Sequence, residues 1–177
     1  MTALRDLGVP FEIIGGVAVN AHIYASDPSR SFVTRDIDLL VRRDDLSRIA
    51  EAAEPLGYMP KRMAGGYTWI RPGQDPGEAV HLRFAGERSR PREPLPYPEL
   101  DPEEKRLLSL DVPVAPLKDL LQMTVSSLRL KDRAYIQILD EAGMITPALE
   151  DQLPPFLRHR LAEARMFMAQ SEPDVEG

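Results

Sequence analysis

The chain has 177 residues, 43% of them hydrophobic and 28% charged, with a net charge of −6, enough for one domain with a core or a core plus a helical appendage. The absence of cysteine excludes disulfides, thiol catalysis and cysteine-ligated zinc, and the acidic balance argues against a whole-surface nucleic-acid binder. No apolar run approaches the ~20 residues of a membrane helix and no signal-peptide pattern opens the chain, so the expected location is cytoplasmic, with no membrane partner.

Phe11–Ile14 is the first expected strand, closed by Gly15-Gly16. Val17–Ala25 reads as a short Ala-rich helix. Phe32–Val41 reads as a second strand and Asp44–Ala53 as a helix stopped by Pro55 and Gly57. Tyr67–Arg71 and Ala79–Phe84 are expected strands on either side of a turn-rich PGQDPG segment. Pro91, Pro94, Pro96, Pro98 and Pro102 then predict an extended crossing without helix or strand. Beyond it the period becomes helical. Leu117, Leu120, Leu121, Thr124 and Leu128 share one face, Asp132 is placed to cap a helix that runs to Gly143, and a last helix opens at Pro154-Pro155.

Two features carry chemistry. Side chains alternate along a strand, so Asp36 and Asp38 are expected on one face, with Ile37 and Leu39 on the other. Aspartate is depleted in strands, and two close carboxylates repel; a divalent cation relieves that repulsion. Magnesium suits the pair, because it prefers oxygen ligands and completes its shell with water and substrate phosphates. The plainer alternative is a strand with one solvated face. The Gly15-Gly16 pair, at a strand end where a helix begins, exposes backbone N–H groups at the positive end of a helix dipole, a phosphate site. Its plainer alternative is a tight turn.

The segments GGVAVNAH (15–22) and TRDIDLLV (34–41) together resemble the signature of the nucleotidyltransferase fold superfamily. The likeness is nearest to minimal bacterial members related to abortive-infection nucleotidyltransferase toxins, which also carry a threonine before the aspartate pair, as Thr34 does, and a later motif that here reads RLKD (129–132). The resemblance implies a fold of the α/β (α+β) class: a small mixed sheet of the nucleotidyltransferase type flanked by helices, with a helical C-terminal region. The change of composition at the proline run gives an expected α/β core over residues 1–98, a helical region over 99–170 and a disordered tail at 171–177.

By the same resemblance the chain is expected to transfer a nucleotidyl group from a nucleoside triphosphate to a hydroxyl, with a two-magnesium site. Asp36 and Asp38 hold metal and act in catalysis. Gly15, Gly16, Thr34, Arg83 and Lys131 bind the nucleotide. RNA or protein is the favoured acceptor, a small-molecule alcohol another, and a partner protein of a toxin–antitoxin pair is a further expectation. The pattern departs from the family at one place. In EAVHLRFAGE (78–87), the position where a third carboxylate is expected holds His81, while Glu78 and Glu87 are out of phase. A neutral imidazole there can accept a proton. The alternative is a catalytically lapsed module that binds a nucleotide or partner protein, regulatory or antitoxin-like. Arg83, Arg88, Arg90 and Arg92 form a basic cluster that can grip phosphate or lie solvated. His22 and Trp69 are expected to be packing residues, and His159 to lie on a solvated face.

Overall fold

A computed structural model describes residues 1–63, 66–100 and 112–171. Its elements in chain order are α1 (Thr2–Asp6), β1 (Phe11–Ile14), α2 (Gly15–Ser26), β2 (Ile37–Val41), α3 (Leu46–Ala53), β3 (Met59–Met63), β4 (Gly66–Ile70) and β5 (Val80–Phe84), followed by α4 (Leu117–Ser127), α5 (Leu130–Glu141), α6 (Pro147–Glu150) and α7 (Pro155–Ser171). The strands form one five-stranded sheet in the order β1-β2-β5-β4-β3. It is mixed: β2 and β5 run parallel, while β1–β2, β4–β5 and β3–β4 are antiparallel. The expected class, a small mixed sheet flanked by helices with a helical C-terminal region, is the class found.

One sheet face packs Ile13, Leu39, Leu82 and Trp69 with Leu4 of α1 and with Ile49 and Ala52 of α3. A second cluster joins Val19 and Ile23 of α2 to Leu121 and Val125 of α4, Ile136 and Leu139 of α5, and Leu157 and Leu161 of α7. The C-terminal part also reaches the sheet directly. Val114 bridges to Ile13 in parallel, with Ile13 N–H donating to Pro113 and Ala115 N–H donating to Ile13. His22, buried beneath this crossing, bonds the Ala115 carbonyl at 2.9 Å, a packing role as expected.

Several boundaries differ from the expected ones, each for a physical reason. The strand expected over Phe32–Val41 begins only at Ile37, and Val33 is 93% exposed. Residues 31–36 are irregular because Phe32 N–H donates to the Asn20 side chain rather than to a neighbouring strand. Helix α2 begins at Gly15, not Val17. Asp132 is not the N-cap of α5. Arg129 is, and Asp132 at the third helical position accepts a hydrogen bond from the Arg129 N–H. Leu128 ends α4 in the left-handed conformation instead of extending its face.

The short α1 and the strand β3 have no counterpart in the sequence reading. β3 reads MPKRM, all five residues exposed, on the sheet edge where Pro60 is tolerated and no apolar alternation is required. Of the proline-rich crossing, residues 91–100 contain neither helix nor strand, while Pro102 lies outside the described residues. Of the expected tail, Ser171 is the last residue of α7, and 172–177 lie outside them as well. Among the described residues no helix is long and apolar enough to cross a membrane.

Candidate active site

Where β1 stops, Ile14 lies opposite Asp38 of β2, and Asp38 in turn lies opposite His81 of β5. Paired residues share a face, so the carboxylate and the imidazole stand side by side, with Thr68 of β4 next in the row. Asp36 precedes the strand, so strand alternation is not what brings it to Asp38. The two converge on Lys131 at the start of α5, whose Nζ lies 3.5 Å from Asp36 Oδ2 and 3.6 Å from Asp38 Oδ2. Thr34 Oγ1 donates to Asp36 Oδ1 at 2.9 Å and orients it. Arg83 Nε lies 4.0 Å from the other oxygen of Asp38.

The glycine pair abuts this cluster. Gly15 has φ +66°, and a Cβ built there would overlap the Asp38 carboxylate. A Cβ on Gly16 would come within 2.6 Å of the Tyr135 hydroxyl and 2.9 Å of Thr34 Oγ1. Ile14 at the N-cap supplies no side-chain bond, so α2 presents its first N–H groups beside the carboxylates without a side-chain cap. A cleft is lined by Gly15, Asp38, Arg83, Lys131 and Tyr135, together with Glu93 and Tyr97 of the crossing segment. Eight sequence-predicted site residues therefore meet in one place: Gly15, Gly16, Thr34, Asp36, Asp38, His81, Arg83 and Lys131.

Electrostatics follow from this crowding. Burial pushes the Asp36 carboxyl up, but Lys131, the Thr34 hydroxyl and its own backbone N–H outweigh burial and hold it below the ordinary carboxylate range. Burial lowers the His81 imidazole below its ordinary 6.5; Asp38 opposes this and Arg83 adds to it. At neutral pH the ring is therefore uncharged, with Nδ1 bonded to Thr68 Oγ1 at 2.9 Å. When Nδ1–H donates to that hydroxyl, Nε2 keeps a lone pair and can take a proton. Burial, with Asp36 and Asp38 adding, pushes Tyr135 up to about 12, so it stays a neutral hydroxyl donor.

The donor set fits one hydrated magnesium. Two carboxylates already share a cation, the Lys131 ammonium, and a hard oxygen-bound ion with phosphate and water in its remaining positions suits them. Among the described residues no group of three or more His, Cys, Asp or Glu is placed to hold a metal. Glu78 is 3.5 Å from Arg35, and Glu87 accepts both Arg43 Nε and a terminal nitrogen at 2.5 Å.

Tyr135, Arg129, Glu93 and Tyr97 also line the cleft. Tyr135 stands four residues after Lys131 and so on the same helix face, a signal the sequence does contain. Arg129 opens the RLKD motif, while Glu93 and Tyr97 lie in the proline-rich segment with no motif of their own. Of the remaining candidates, Arg88 bonds the Glu93 and Pro94 carbonyls, shaping the loop, and His159 is exposed beside Glu163 at 3.3 Å. Trp69 is buried in the core, as expected.

The chain matches no protein family and no curated protein. Two solved structures are similar to it over 94% of its length. One is a solution structure of the antibiotic-resistance factor ANT(2'')-Ia, at 16% identity, 79% of that chain and a TM-score of 0.49. The other is a crystal structure of ANT(2'')-Ia in complex with adenylyl-2''-tobramycin, at 17% identity, 84% of that chain and a TM-score of 0.48.

Proposed function

We propose that the chain is a metal-dependent nucleotidyltransferase that moves a nucleoside monophosphate from a nucleoside triphosphate to an acceptor hydroxyl. The observation that carries this reading is the convergence of Asp36 and Asp38 on one cation position, against a glycine-opened helix N-terminus. A cation site beside a phosphate cradle suits a triphosphate, and such transfer asks the protein for positioning and charge neutralisation.

In this reading Gly15 and Gly16 receive phosphate oxygens on their N–H groups, and Lys131 moves from the carboxylates to the phosphates when nucleotide enters. Arg83 orients Asp38, and Thr34 orients Asp36. Magnesium, when bound by the two carboxylates, supplies neutralisation of the triphosphate and Lewis acidity. The acceptor oxygen forms a bond to the α-phosphorus, the α–β bridging bond breaks, and pyrophosphate leaves. The acceptor proton passes to His81 Nε2 and from there to solvent. RNA or protein is the acceptor class we favour, by resemblance to the toxin-related members; a toxin–antitoxin partner belongs to the same proposal.

One observation favours a second reading. No third carboxylate joins the pair among the described residues, and His81 stands in its row. That suits a lapsed module which binds nucleotide without turnover. Calorimetric titration of each nucleoside triphosphate with magnesium, beside an Asp36→Ala/Asp38→Ala double variant shown to be folded, tests the first reading. Magnesium-dependent binding lost in the variant supports it. Equal binding by the variant overturns the metal-site assignment, and binding indifferent to magnesium selects the lapsed module.

A further inference from the structure

A second cavity opens beside the cleft, where β3 ends, β4 begins and β5 stops. It encloses about 130 Å³, against the ~10–15 Å³ that one water needs, and its charged lining is Arg43, Arg62, Arg88 and Glu87. Three guanidinium groups thus face one carboxylate, in a chain whose net charge is −6, so the positive excess is local.

The carboxylate is already used. Arg43 Nε and Nη2 donate to the two oxygens of Glu87 at 2.5 Å, and the Arg43 Cζ lies 3.8 Å over the Phe84 ring. That fixes one guanidinium, cancels one charge and leaves two in excess. Arg88 donates to the Glu93 carbonyl at 3.1 Å and the Pro94 carbonyl at 3.4 Å, which orient it without cancelling its charge. Arg62, exposed on β3, has neither hydrogen bond nor ion pair among the described residues. Tyr97, kept neutral by burial, donates to Ser89 Oγ at 3.2 Å in the same lining. Three cations brought together from the turn after β2, from β3 and from the loop after β5 repel, and an oxyanion relieves them. A phosphate group suits donors on several sides, because its oxygens point in tetrahedral directions. A carboxylate is filled by one guanidinium fork, as Glu87 is by Arg43.

We propose that this cavity is a phosphate-binding subsite, separate from the glycine turn of α2, and that the acceptor presents the phosphate. The assignment to the acceptor rests on the nucleotidyl-transfer reading above; the subsite does not. What ties the pocket to the acceptor is its position. Tyr97 lines both the pocket and the carboxylate cleft. Arg83, whose Nε faces Asp38 at 4.0 Å, reaches with Nη1 to 3.2 Å from where a Cβ on Gly66 would stand, and Gly66 lines the pocket. A molecule whose hydroxyl lies at His81 and Asp38 therefore meets the arginines with its next charged group.

The probe is inorganic phosphate, titrated into the metal-free, nucleotide-free protein at constant ionic strength and followed by the arginine Nε–H resonances. Those of Arg43, Arg62 and Arg88 are expected to shift saturably. Arg62→Gln, which breaks no contact of the fold, weakens binding about fivefold at unchanged melting temperature, and Arg62→Glu abolishes it. Resonances that do not move, or that move equally with acetate, overturn the subsite. The source of the phosphate is read from magnesium–nucleoside triphosphate titrations of the same variants. Affinity equal to that of the wild type supports the acceptor as the source. A several-fold loss gives the pocket to the nucleotide's own phosphates and overturns the acceptor assignment. A wild-type protein that binds phosphate here but no triphosphate overturns the nucleotidyl-transfer reading, and the acceptor assignment with it, while the subsite stands.

Discussion

Gly15 cannot be replaced without moving the carboxylate beside it. Its positive φ costs an L-residue roughly 1–2 kcal/mol, and a methyl group there overlaps Asp38. Gly15→Ala is therefore expected to lose at least about 1 kcal/mol in urea denaturation, and magnesium-dependent nucleotide binding in calorimetry. Lys131 is a different kind of neighbour, a mobile cation in the place a metal would take. Lys131→Ala is expected to bind magnesium alone more tightly than the wild type, and magnesium–nucleotide about tenfold or more weakly. A variant weakened in both would show that the ammonium only braces the carboxylates. His81 makes a pH signature. Its folded-state pKa is lowered, so the unfolded chain takes up its proton first, and the stability this gives is present above about 6.5 and declines as pH falls below it. Asp36, also lowered, adds a further loss near the bottom of the carboxylate range. Melting curves from pH 7.5 to 5 should thus fall more steeply for the wild type than for His81→Gln.

Helix α5 places Lys131, and the device that sets its start is a buried carboxylate. Asp132 is 4% exposed and accepts from Arg129 N–H and Nε at 2.9 Å, and from the Ser127 hydroxyl. These bonds join the left-handed end of α4 to the first turn of α5 and fix the angle at which Lys131 enters the cleft. The RLKD motif is thereby divided between two tasks: Asp132 holds the turn and Lys131 meets the aspartates. Asp132→Ala is expected to cost about 2 kcal/mol by denaturant unfolding and, by releasing the turn that places Lys131, to weaken nucleotide binding. Asp132→Asn keeps an acceptor for the Arg129 N–H and should recover part of both; a variant recovering stability but not binding would give Asp132 a direct role.

Across the whole molecule, the two apolar clusters share helices. α2 gives Ala18 and Ala21 to the sheet cluster and Val19 and Ile23 to the helical one, while α4 gives Leu120 to the first and Leu121 to the second. With Val114 also bridging to β1, the sheet and the C-terminal helices are expected to unfold as one unit. Leu121→Ala, at a fully buried position in the helical cluster, should cost about 3 kcal/mol and shift one transition seen identically by Trp69 emission and helical circular dichroism. Two separated transitions would show that residues 1–98 fold independently of the helices that follow.

The sequence by itself determined most of the elements that hold the candidate site. β1, β4 and β5, the helical C-terminal region and the Gly-Gly and Asp-Ile-Asp pairs are legible because burial period and residue type are local properties. β3 was not legible, since an exposed edge strand carries no burial pattern, and neither was the irregular run before Ile37, where an Asn20 side chain replaces a strand partner. Tertiary structure alone decided how the site is assembled. Asp36 meets Asp38 through Lys131, 95 and 93 positions downstream. Glu78 and Glu87 are taken up by Arg35 and Arg43. These are contacts between segments far apart in the chain, set by packing of the sheet against helices on both faces, and no local pattern encodes them.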